Sequence, residues 1–241
     1  MMEQYNLTAR IEPFDTFWEA PKDIQKGFVT FVTFYRRNYL KYLPENKEAR
    51  ILVISCGPGY FVHLLSQEGY RNVLGIDSDP EKIRYATERN LNCVSDRAFP
   101  FLARNQVPYD VIIVEQEINH LTKDEILTFI ELCRRNLSEN GILILHSLNG
   151  ANPITGSEAL AQNFDHYNTF TESSLRQILE YTGFRDITVI PLKLYVFYRN
   201  PLNYAGMLLD ALNNLYFSLN FKLYGKSNRI FSKKIAAICR R

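Results

Sequence analysis

The sequence predicts an α/β fold in which helices cover both faces of one sheet of mostly parallel strands. Short aliphatic runs alternate with amphipathic stretches at regular spacing from 51 to 190, which is the pattern of successive β-α-β units. Polar or glycine-containing turns follow the predicted strands, at the edge where such sheets bind ligands. The hydrophobic fraction of 46% and the charged fraction of 22% exclude a disordered or low-complexity chain.

Seven strands are predicted, and helices fill the intervals between them. The strands are expected at 51–54, 73–76, 91–95, 111–114, 142–145, 184–190 and 235–239. Helices are expected at 23–43, 61–69, 80–89, 97–104, 121–137 and 171–182. Asp79, Thr122 and Thr171 are expected to cap the helices that follow them, because their side-chain oxygens can accept hydrogen bonds from unpaired backbone N–H groups.

The chain divides into four segments by pattern. These are an N-terminal arm and cap helix, a ligand-binding core, a helical insertion rich in aromatic residues, and the last core strand, at 1–48, 49–190, 191–229 and 230–241. Leucines in the insertion recur at the three- and four-residue spacing of a helix, namely Leu208, Leu212, Leu215 and Leu219. This element could be a lid, a dimer contact, a face on a membrane surface or a part of the core.

Charge is distributed unevenly along the chain. From 187 to 241, nine Lys and Arg residues accompany one acid, Asp210, which gives this segment +8 although the whole chain carries only +2. Such a segment is expected either to face phosphates, lipid headgroups or nucleic acid, or to be a solvated surface. Four separated cysteines form no CxxC pair, and no apolar stretch has the length of a signal peptide or membrane span. We therefore expect a cytoplasmic protein, with peripheral contact at the inner membrane surface as an option.

The turn after the first strand indicates a nucleotide-type ligand. Gly57 and Gly59 let the backbone approach a ligand closely, and the next helix presents unpaired N–H groups. Asp77 ends the second strand, where a carboxylate can accept both hydroxyls of a ribose. A dinucleotide site normally has a third glycine where this chain has Val62, so NAD is the second choice.

These features resemble the S-adenosylmethionine-dependent methyltransferases with a seven-stranded Rossmann-like fold, over about Arg50 to Arg241. The resemblance rests on Cys56-Gly57-Pro58-Gly59, NVLGID, Ser95-Asp96, YDVIIVEQEINHL and NGILIL. Later motifs resemble a subgroup linked to sugar or surface-polysaccharide biosynthesis, namely Asp165-His166-Tyr167, Phe170-Thr171 and SLRQILEYTGF.

The resemblance implies S-adenosylmethionine as the cofactor and places it at the strand ends. Gly57 and Gly59 would flank its methionine portion, Asp77 would hold the ribose, and Asp96 would meet the adenine amino group. Glu115 and Gln116 would line the pocket. The other strand-end residues expected at the cofactor are Ser55, Cys56, Ser78 and Ser95. Asp96 could instead cap the following helix, and Glu115 could be a carboxylate in solvent.

Some positions depart from the family pattern. Val53 stands where an acid usually helps to orient the cofactor's amino group, and Ser55 stands where glycine is usual. Cofactor affinity could be reduced, or Ser55 and a water could substitute. Gln116 and Asn119 stand where some relatives carry acids that are used with a metal, so a metal-independent enzyme is expected.

Two of the four histidines follow strands on the expected acceptor side, His120 after the fourth strand and His166 beyond the fifth. An alcohol acceptor loses its proton as the new bond forms, and imidazole, with an unperturbed pKa of about 6.5, is a suitable base. Each could instead have only a local structural role. His63 and His146 are expected to pack inside the protein.

The leading hypothesis is therefore a methyltransferase that transfers a methyl group in line to a hydroxyl of a sugar or glycan intermediate. The alternative is a catalytically silent binding or scaffold protein with the same fold. An RNA methyltransferase is less favoured, because the basic segment has no recognised RNA-binding motif, and Val62 argues against an NAD-dependent oxidoreductase. The expected partner is a small-molecule or glycan acceptor, contact with an anionic membrane surface and a homodimer are options, and nucleic acid is not favoured.

Overall fold

The computed structural model describes residues 21–115, 117–161, 164 and 166–241. The arm at 1–20, Gln116 and Asp165 lie outside the described residues. Seven strands form one sheet, and they are β1 (Arg50–Ile54), β2 (Asn72–Asp77), β3 (Cys93–Ser95), β4 (Tyr109–Val114), β5 (Leu137–Leu148), β6 (Arg185–Pro191) and β7 (Lys234–Arg240). The strand order is β3-β2-β1-β4-β5-β7-β6. The first five strands pair in parallel, whereas β7 runs antiparallel to both β5 and β6.

Helices of the described residues lie between the strands as predicted. They are α1 (Pro21–Asn38), α2 (Tyr60–Gln67), α3 (Pro80–Thr87), α4 (Ala98–Arg104), α5 (Lys123–Asn136), α6 (Gly156–Ala161), α7 (Glu172–Tyr181) and α8 (Pro201–Leu223). The predicted α/β fold, its N-terminal helix and its helical insertion are confirmed. The first helix ends earlier than expected, with a 3-10 turn at Leu40–Tyr42 after it, and α6 lies between two predicted elements, where the sequence predicted no helix.

Local capping explains where three helices begin. The Asp79 carboxylate accepts hydrogen bonds from the backbone N–H groups of Glu81 and Lys82, at 2.8 and 3.4 Å. Thr122 and Thr171 each exchange hydrogen bonds with the residue three positions later, at the start of α5 and α7. All three predicted caps are confirmed, because each side chain satisfies backbone donors that lack a partner within the helix.

The core occupies both faces of the sheet. Residues 51–54 of β1 and 111–114 of β4 are all buried, as expected for parallel strands covered on both sides. Helices α4, α5 and α7 pack on one face, and α1, α2 and α3 pack on the other. The faces are therefore closed, and the carboxyl ends of β1, β2, β4 and β5 form the edge at which polar side chains gather. We call this the carboxyl edge.

Candidate functional site

The turn between β1 and α2 has a left-handed backbone at three residues. The φ angle is +56° at Ser55, +53° at Gly57 and +86° at Gly59. Glycine adopts such angles without steric cost, whereas a residue with a Cβ loses about 1–2 kcal/mol. The Ser55 hydroxyl donates a hydrogen bond to the Glu117 carboxylate, which holds the serine in this conformation. Ser55 is therefore strained at a position where glycine would be relaxed.

Asp77 connects the end of β2 to this turn. Its Oδ2 accepts a hydrogen bond of 2.8 Å from the N–H of Gly57, and its Oδ1 accepts one of 3.0 Å from the N–H of Asp79. Burial raises the pKa of Asp77, while the positive charge of Lys82 and the two backbone hydrogen bonds oppose that rise. A carboxylate has about four acceptor positions, so each oxygen can still accept a hydrogen bond from a ligand hydroxyl.

The remaining residues predicted near the cofactor differ in what they present at the carboxyl edge. The Cys56 thiol packs inward, since its Sγ would lie 2.8 Å from a Cβ built on Gly75, and it leaves only its backbone at the turn. Ser78 is half-buried and Ser95 is exposed. Asp96 lies beside Asp77, because its N–H donates to the Asp77 carbonyl at 2.9 Å.

The Asp96 carboxylate has partners of its own. It accepts a hydrogen bond of 2.8 Å from the N–H of Arg97 and forms an ion pair with Arg104. The N-cap of α4 is Arg97, without a side-chain capping bond, so the alternative that Asp96 caps this helix is wrong and its contact with Arg97 is a local one. The side chain keeps 22% of its surface exposed, so a ligand that lies over β2 and β3 can still contact it.

A buried polar cluster lies where α1 covers the ends of β4 and β5. The Oε2 atom of Glu115 lies 2.9 Å from Nδ1 of His146 and accepts a hydrogen bond of 3.3 Å from the Tyr35 hydroxyl. The side chains of His146 and Glu115 are only 2% and 9% exposed, so the alternative that Glu115 lies in solvent is wrong. Burial lowers the pKa of His146, although the Glu115 carboxylate opposes this.

Three buried polar atoms of this cluster have no hydrogen-bond partner within the described residues. They are Glu115 Oε1, His146 Nε2 and the Tyr39 hydroxyl. Buried polar groups are almost always paired, so these atoms mark a place for a polar ligand group or a water. His146 was expected only to pack inside the protein. Its contact with Glu115 follows from the register in which Val114 pairs with Leu145, because this register places the residues that follow them side by side, and no short sequence pattern encodes it.

The two histidines predicted to contact the acceptor lie together. The ring centroids of His120 and His166 are 4.8 Å apart, although 46 positions separate them in the chain. Asn119 holds the two segments together. Its side-chain amide donates to the backbone carbonyl of Asn168 at 2.7 Å, and its backbone carbonyl accepts from the N–H of Tyr167 at 2.9 Å. The Nδ1 atom of His166 is 2.5 Å from the Ala159 carbonyl oxygen. This contact fixes the hydrogen on Nδ1 and leaves Nε2 as the basic nitrogen of the neutral ring.

Within the described ranges, no group of three or more His, Cys, Asp or Glu side chains is arranged to hold a metal ion. All four cysteines are buried and unbridged.

Solved structures with the same fold include a S-adenosylmethionine-dependent methyltransferase from Archaeoglobus fulgidus, at a TM-score of 0.64 and 20% identity over 88% of this chain and 93% of that one. A possible histamine N-methyltransferase from Thermotoga maritima matches at 0.59 and 13% identity, over 91% and 94%. A phosphoethanolamine N-methyltransferase from Haemonchus contortus, in complex with S-adenosylmethionine, matches at 0.56 and 14% identity, over 90% and 57%. At these identities the likeness establishes a common fold.

The sequence matches no curated protein. A family model described as a methyltransferase domain matches residues 28–189, which is roughly two thirds of the chain. The matched range includes most of α1, the glycine turn, Asp77, the buried cluster and both histidines of the contacting pair. On this match and the shared fold, the chain belongs to the methyltransferase domain family.

Proposed function

We propose that this protein is a S-adenosylmethionine-dependent methyltransferase that methylates a hydroxyl group of a sugar or glycan intermediate. The observation that carries the proposal is the closure of the glycine turn onto Asp77, with a hydrogen bond of 2.8 Å between Gly57 N–H and Asp77 Oδ2. This contact sets a carboxylate beside a stretch of backbone that a ligand can approach closely, at the carboxyl edge of the sheet.

The residues at this edge fit the chemistry of the cofactor. A Cβ built on Gly57 meets no atom within 4 Å, so the turn borders open space. The ribose of S-adenosylmethionine offers two hydroxyl donors, and Asp77 has acceptor capacity left. The amino group of S-adenosylmethionine is a cation, and Glu115 Oε1 is a buried acceptor without a partner among the described residues. The donor and acceptor sets therefore complement each other.

When bound, S-adenosylmethionine supplies a methyl group activated by a sulfonium charge. The protein's part is to fix the positions of donor and acceptor, which is the main source of rate in such displacements. Asp77 and the turn would hold the nucleoside, and Asp96 would contact the adenine from the neighbouring strand. Glu115 would orient the amino group in place of the acid that Val53 replaces, because its N–H binds the Ile54 carbonyl at 3.1 Å and this contact sets it next to the turn.

The histidine pair suits a hydroxyl acceptor. A hydroxyl must lose its proton as its oxygen forms the new bond, whereas a neutral amine attacks through its lone pair without prior loss of a proton. The Nε2 atom of His166 is the basic nitrogen of that ring, and the adjacent His120 ring fixes its orientation by contact at 4.8 Å. Either ring can accept the proton, and the motifs around His166 that resemble the polysaccharide subgroup favour a sugar hydroxyl.

Two observations favour the scaffold alternative. Val53 is fully buried among apolar residues, and Ser55 strains the turn at φ +56°. Both changes weaken a cofactor site if Glu115 does not compensate. A scaffold needs no cofactor, so affinity separates the two functions.

The test is calorimetric titration of the full chain with S-adenosylmethionine and S-adenosylhomocysteine, with NAD as the negative control. We expect micromolar binding of the first two, weakened at least about tenfold by Asp77→Asn, because a hydrogen bond to a charged acceptor contributes about 1.5–3 kcal/mol. Asp79→Asn is the matched control, since asparagine caps a helix as well as aspartate does. A folded protein that binds neither compound would refute the enzyme and favour the scaffold.

The acceptor class is then tested by methyl transfer from labelled cofactor. We expect transfer to sugar hydroxyls, in free or phosphate-bearing form. The comparison arms are phosphoethanolamine, which represents the N-methyltransferases of this fold, and RNA. Transfer only to the amine or to RNA, with cofactor binding intact, would overturn the hydroxyl assignment and leave the methyltransferase assignment standing.

A further inference from the structure

Helix α8 carries an apolar face that is turned away from the protein. Four leucines at helical spacing form its centre, each between 53% and 61% exposed, and they are Leu208, Leu212, Leu215 and Leu219. Tyr204, Tyr216 and Leu223 extend the face, and each of them is also more than half exposed. Soluble proteins rarely leave a continuous apolar stripe of this size uncovered without a partner for it. We call these seven residues the outer face of α8.

The opposite side of the helix is fixed to the body of the protein. Phe217 and Phe221 contact Phe231, with ring centroids 6.0 and 4.7 Å apart. Tyr195 packs on Gly206, where a Cβ would lie only 2.3 Å from its ring. Since the inner side is held by aromatic packing, the outer face is a stable feature of the surface.

The charged residues at the two ends of the helix are all basic. Five exposed cations flank the helix or lie in its last turn, and they are Lys193, Arg199, Lys222, Lys226 and Arg229. The single acid of the segment, Asp210, lies nine residues before Leu219, which at 100° per residue is the opposite side of the helix. The outer face is therefore apolar in its middle, basic at both ends and without an acid.

The helix lies at the same edge as the candidate site. Lys234 at the start of β7 pairs with Leu148 at the end of β5, and Pro191 at the end of β6 pairs with Ile235, so the segment between them leaves and re-enters the sheet at the carboxyl edge. Asn38 of α1 exchanges hydrogen bonds of 2.8 and 3.0 Å with the backbone of Lys193. Helix α1, which covers the buried cluster, is thus hydrogen-bonded to the segment that leads from β6 into α8.

We propose that the outer face of α8 binds the surface of an anionic lipid membrane. Leucine and tyrosine side chains would enter the interface between headgroups and acyl chains, and the flanking cations would meet lipid phosphates, as in helices that lie in the plane of a membrane. The helix would lie on the membrane and not span it, since no helix of the described residues is long and apolar enough to cross.

Charge favours lipid over a second copy of the chain. Two copies joined through this face would bring two segments of net charge +8 together without an acid on either face, and like charges in close contact oppose association. With an anionic surface, in contrast, each Lys or Arg near that surface raises the binding affinity by a factor of about five. The surface would bind lipid whether or not the candidate site binds a cofactor.

The experiment is co-sedimentation of the full chain with vesicles of phosphatidylcholine alone and of phosphatidylcholine mixed with phosphatidylglycerol, at low and high salt. We expect binding to the mixed vesicles at low salt and its loss at high salt, because surface charges are screened. The double variant Leu212→Glu/Leu215→Glu should lower partitioning at least tenfold. The variant Lys222→Gln/Lys226→Gln should lower it by about 25-fold. Val107→Glu is the matched control, since Val107 is 50% exposed at the opposite edge.

Circular dichroism of each variant establishes that the fold is retained, as expected because the substituted side chains are exposed. The proposal is overturned if the folded wild type does not bind the mixed vesicles, or if the Leu212→Glu/Leu215→Glu variant binds them as well as the wild type does. A wild-type dimer that ignores vesicles and dissociates in the leucine variant would assign the outer face to a second copy instead.

Discussion

His146 and Glu115 form a buried contact of 2.9 Å between Nδ1 and Oε2, across the neighbouring ends of β5 and β4. Burial lowers the pKa of His146, so its ring is neutral at neutral pH and donates its Nδ1 hydrogen to the carboxylate. Burial also lowers the pKa of Lys234, against the opposing charge of Glu115. The cluster therefore combines a carboxylate, a neutral imidazole and two tyrosine hydroxyls beneath α1, and Glu115 also interacts with the charge of Lys234.

The first prediction is a loss of stability on mild acidification. Unfolded histidine titrates at about pH 6.5, and the folded pKa of His146 is lower. The unfolded state therefore takes up a proton first as the pH falls. The stability due to neutral His146 is present above about pH 6.5 and is lost as the pH falls from there toward the folded pKa, by up to about 1.4 kcal/mol per pH unit.

Urea unfolding from about pH 7.5 to about pH 5.5 measures this loss. His146→Gln keeps a donor for Glu115 and does not titrate, so its stability should change less over that range. His63→Gln is the comparison, because burial and the charge of Arg89 also lower the pKa of that ring, but it is only partly buried and should account for a smaller share of the slope. Identical pH dependence in the wild type and in His146→Gln would contradict the prediction.

The second prediction concerns the strain at Ser55. Ser55→Ala keeps the Cβ at φ +56° and loses the hydrogen bond to Glu117, so it should destabilise the protein by about 1 kcal/mol. Ser55→Gly loses the same bond but releases about 1–2 kcal/mol of backbone strain, so it should be close to the wild type. Thermal melts should therefore rank glycine above alanine at this position.

Ser66 supplies the control for that ranking. It is exposed within α2, where the alanine variant should be more stable than the glycine variant by about 1 kcal/mol. If alanine is also the more stable residue at position 55, the backbone there is not held in the left-handed region.

Most of the fold was accessible to sequence reasoning because its signals are local. The proline and acids around Asp79 mark a helix start, and the aliphatic run at 111–114 marks a buried strand, without knowledge of any other part of the chain. The antiparallel direction of β7 was not accessible in this way. It depends on pairing with residues such as Leu148, nearly ninety positions earlier, and no short pattern encodes that pairing.

The candidate site was accessible to a similar degree. Gly57 and Asp77 follow predicted strands, so their convergence at one edge was expected from parallel topology, and their hydrogen bond has now been located. The buried contact of Glu115 with His146 depends on the register of β4 with β5 and on how α1 covers both strands. Helical spacing likewise predicted the leucine stripe of α8, but whether its face turns inward or outward depends on packing by residues such as Phe231.

The third prediction separates strain in the glycine turn from its role in binding. Gly57→Ala places a Cβ in open space at φ +53°. It should therefore lower the stability only by the cost of a left-handed backbone at a residue with a Cβ, about 1–2 kcal/mol. Because that space adjoins the proposed cofactor, affinity for S-adenosylmethionine should fall about tenfold or more. Gly69 is the matched control, since it also has a left-handed φ with nothing within 4 Å of a Cβ but lies at the far end of α2.

Gly69→Ala should match the stability loss of Gly57→Ala in urea titrations and leave calorimetric affinity unchanged. An unchanged affinity in Gly57→Ala would show that the cofactor does not lie against this turn.

The last prediction concerns the contacting histidines. If one ring accepts the acceptor's proton and the other fixes its orientation, His120→Gln and His166→Gln should each lower kcat about 100-fold, the lower limit for general base catalysis. Because the two rings act as a unit, the double variant should be no slower than the slower single variant, whereas independent residues would give multiplied losses. Cofactor affinity should be the same in all three variants, since the glycine turn and Asp77 are left unchanged. Rates with the hydroxyl acceptor found in the screen, measured over a range of pH, provide the readout, and His63→Gln provides a control histidine outside the pair. Full activity in both single variants would remove the pair from the mechanism, and the base would then have to be sought at His146, whose Nε2 lies within the buried cluster.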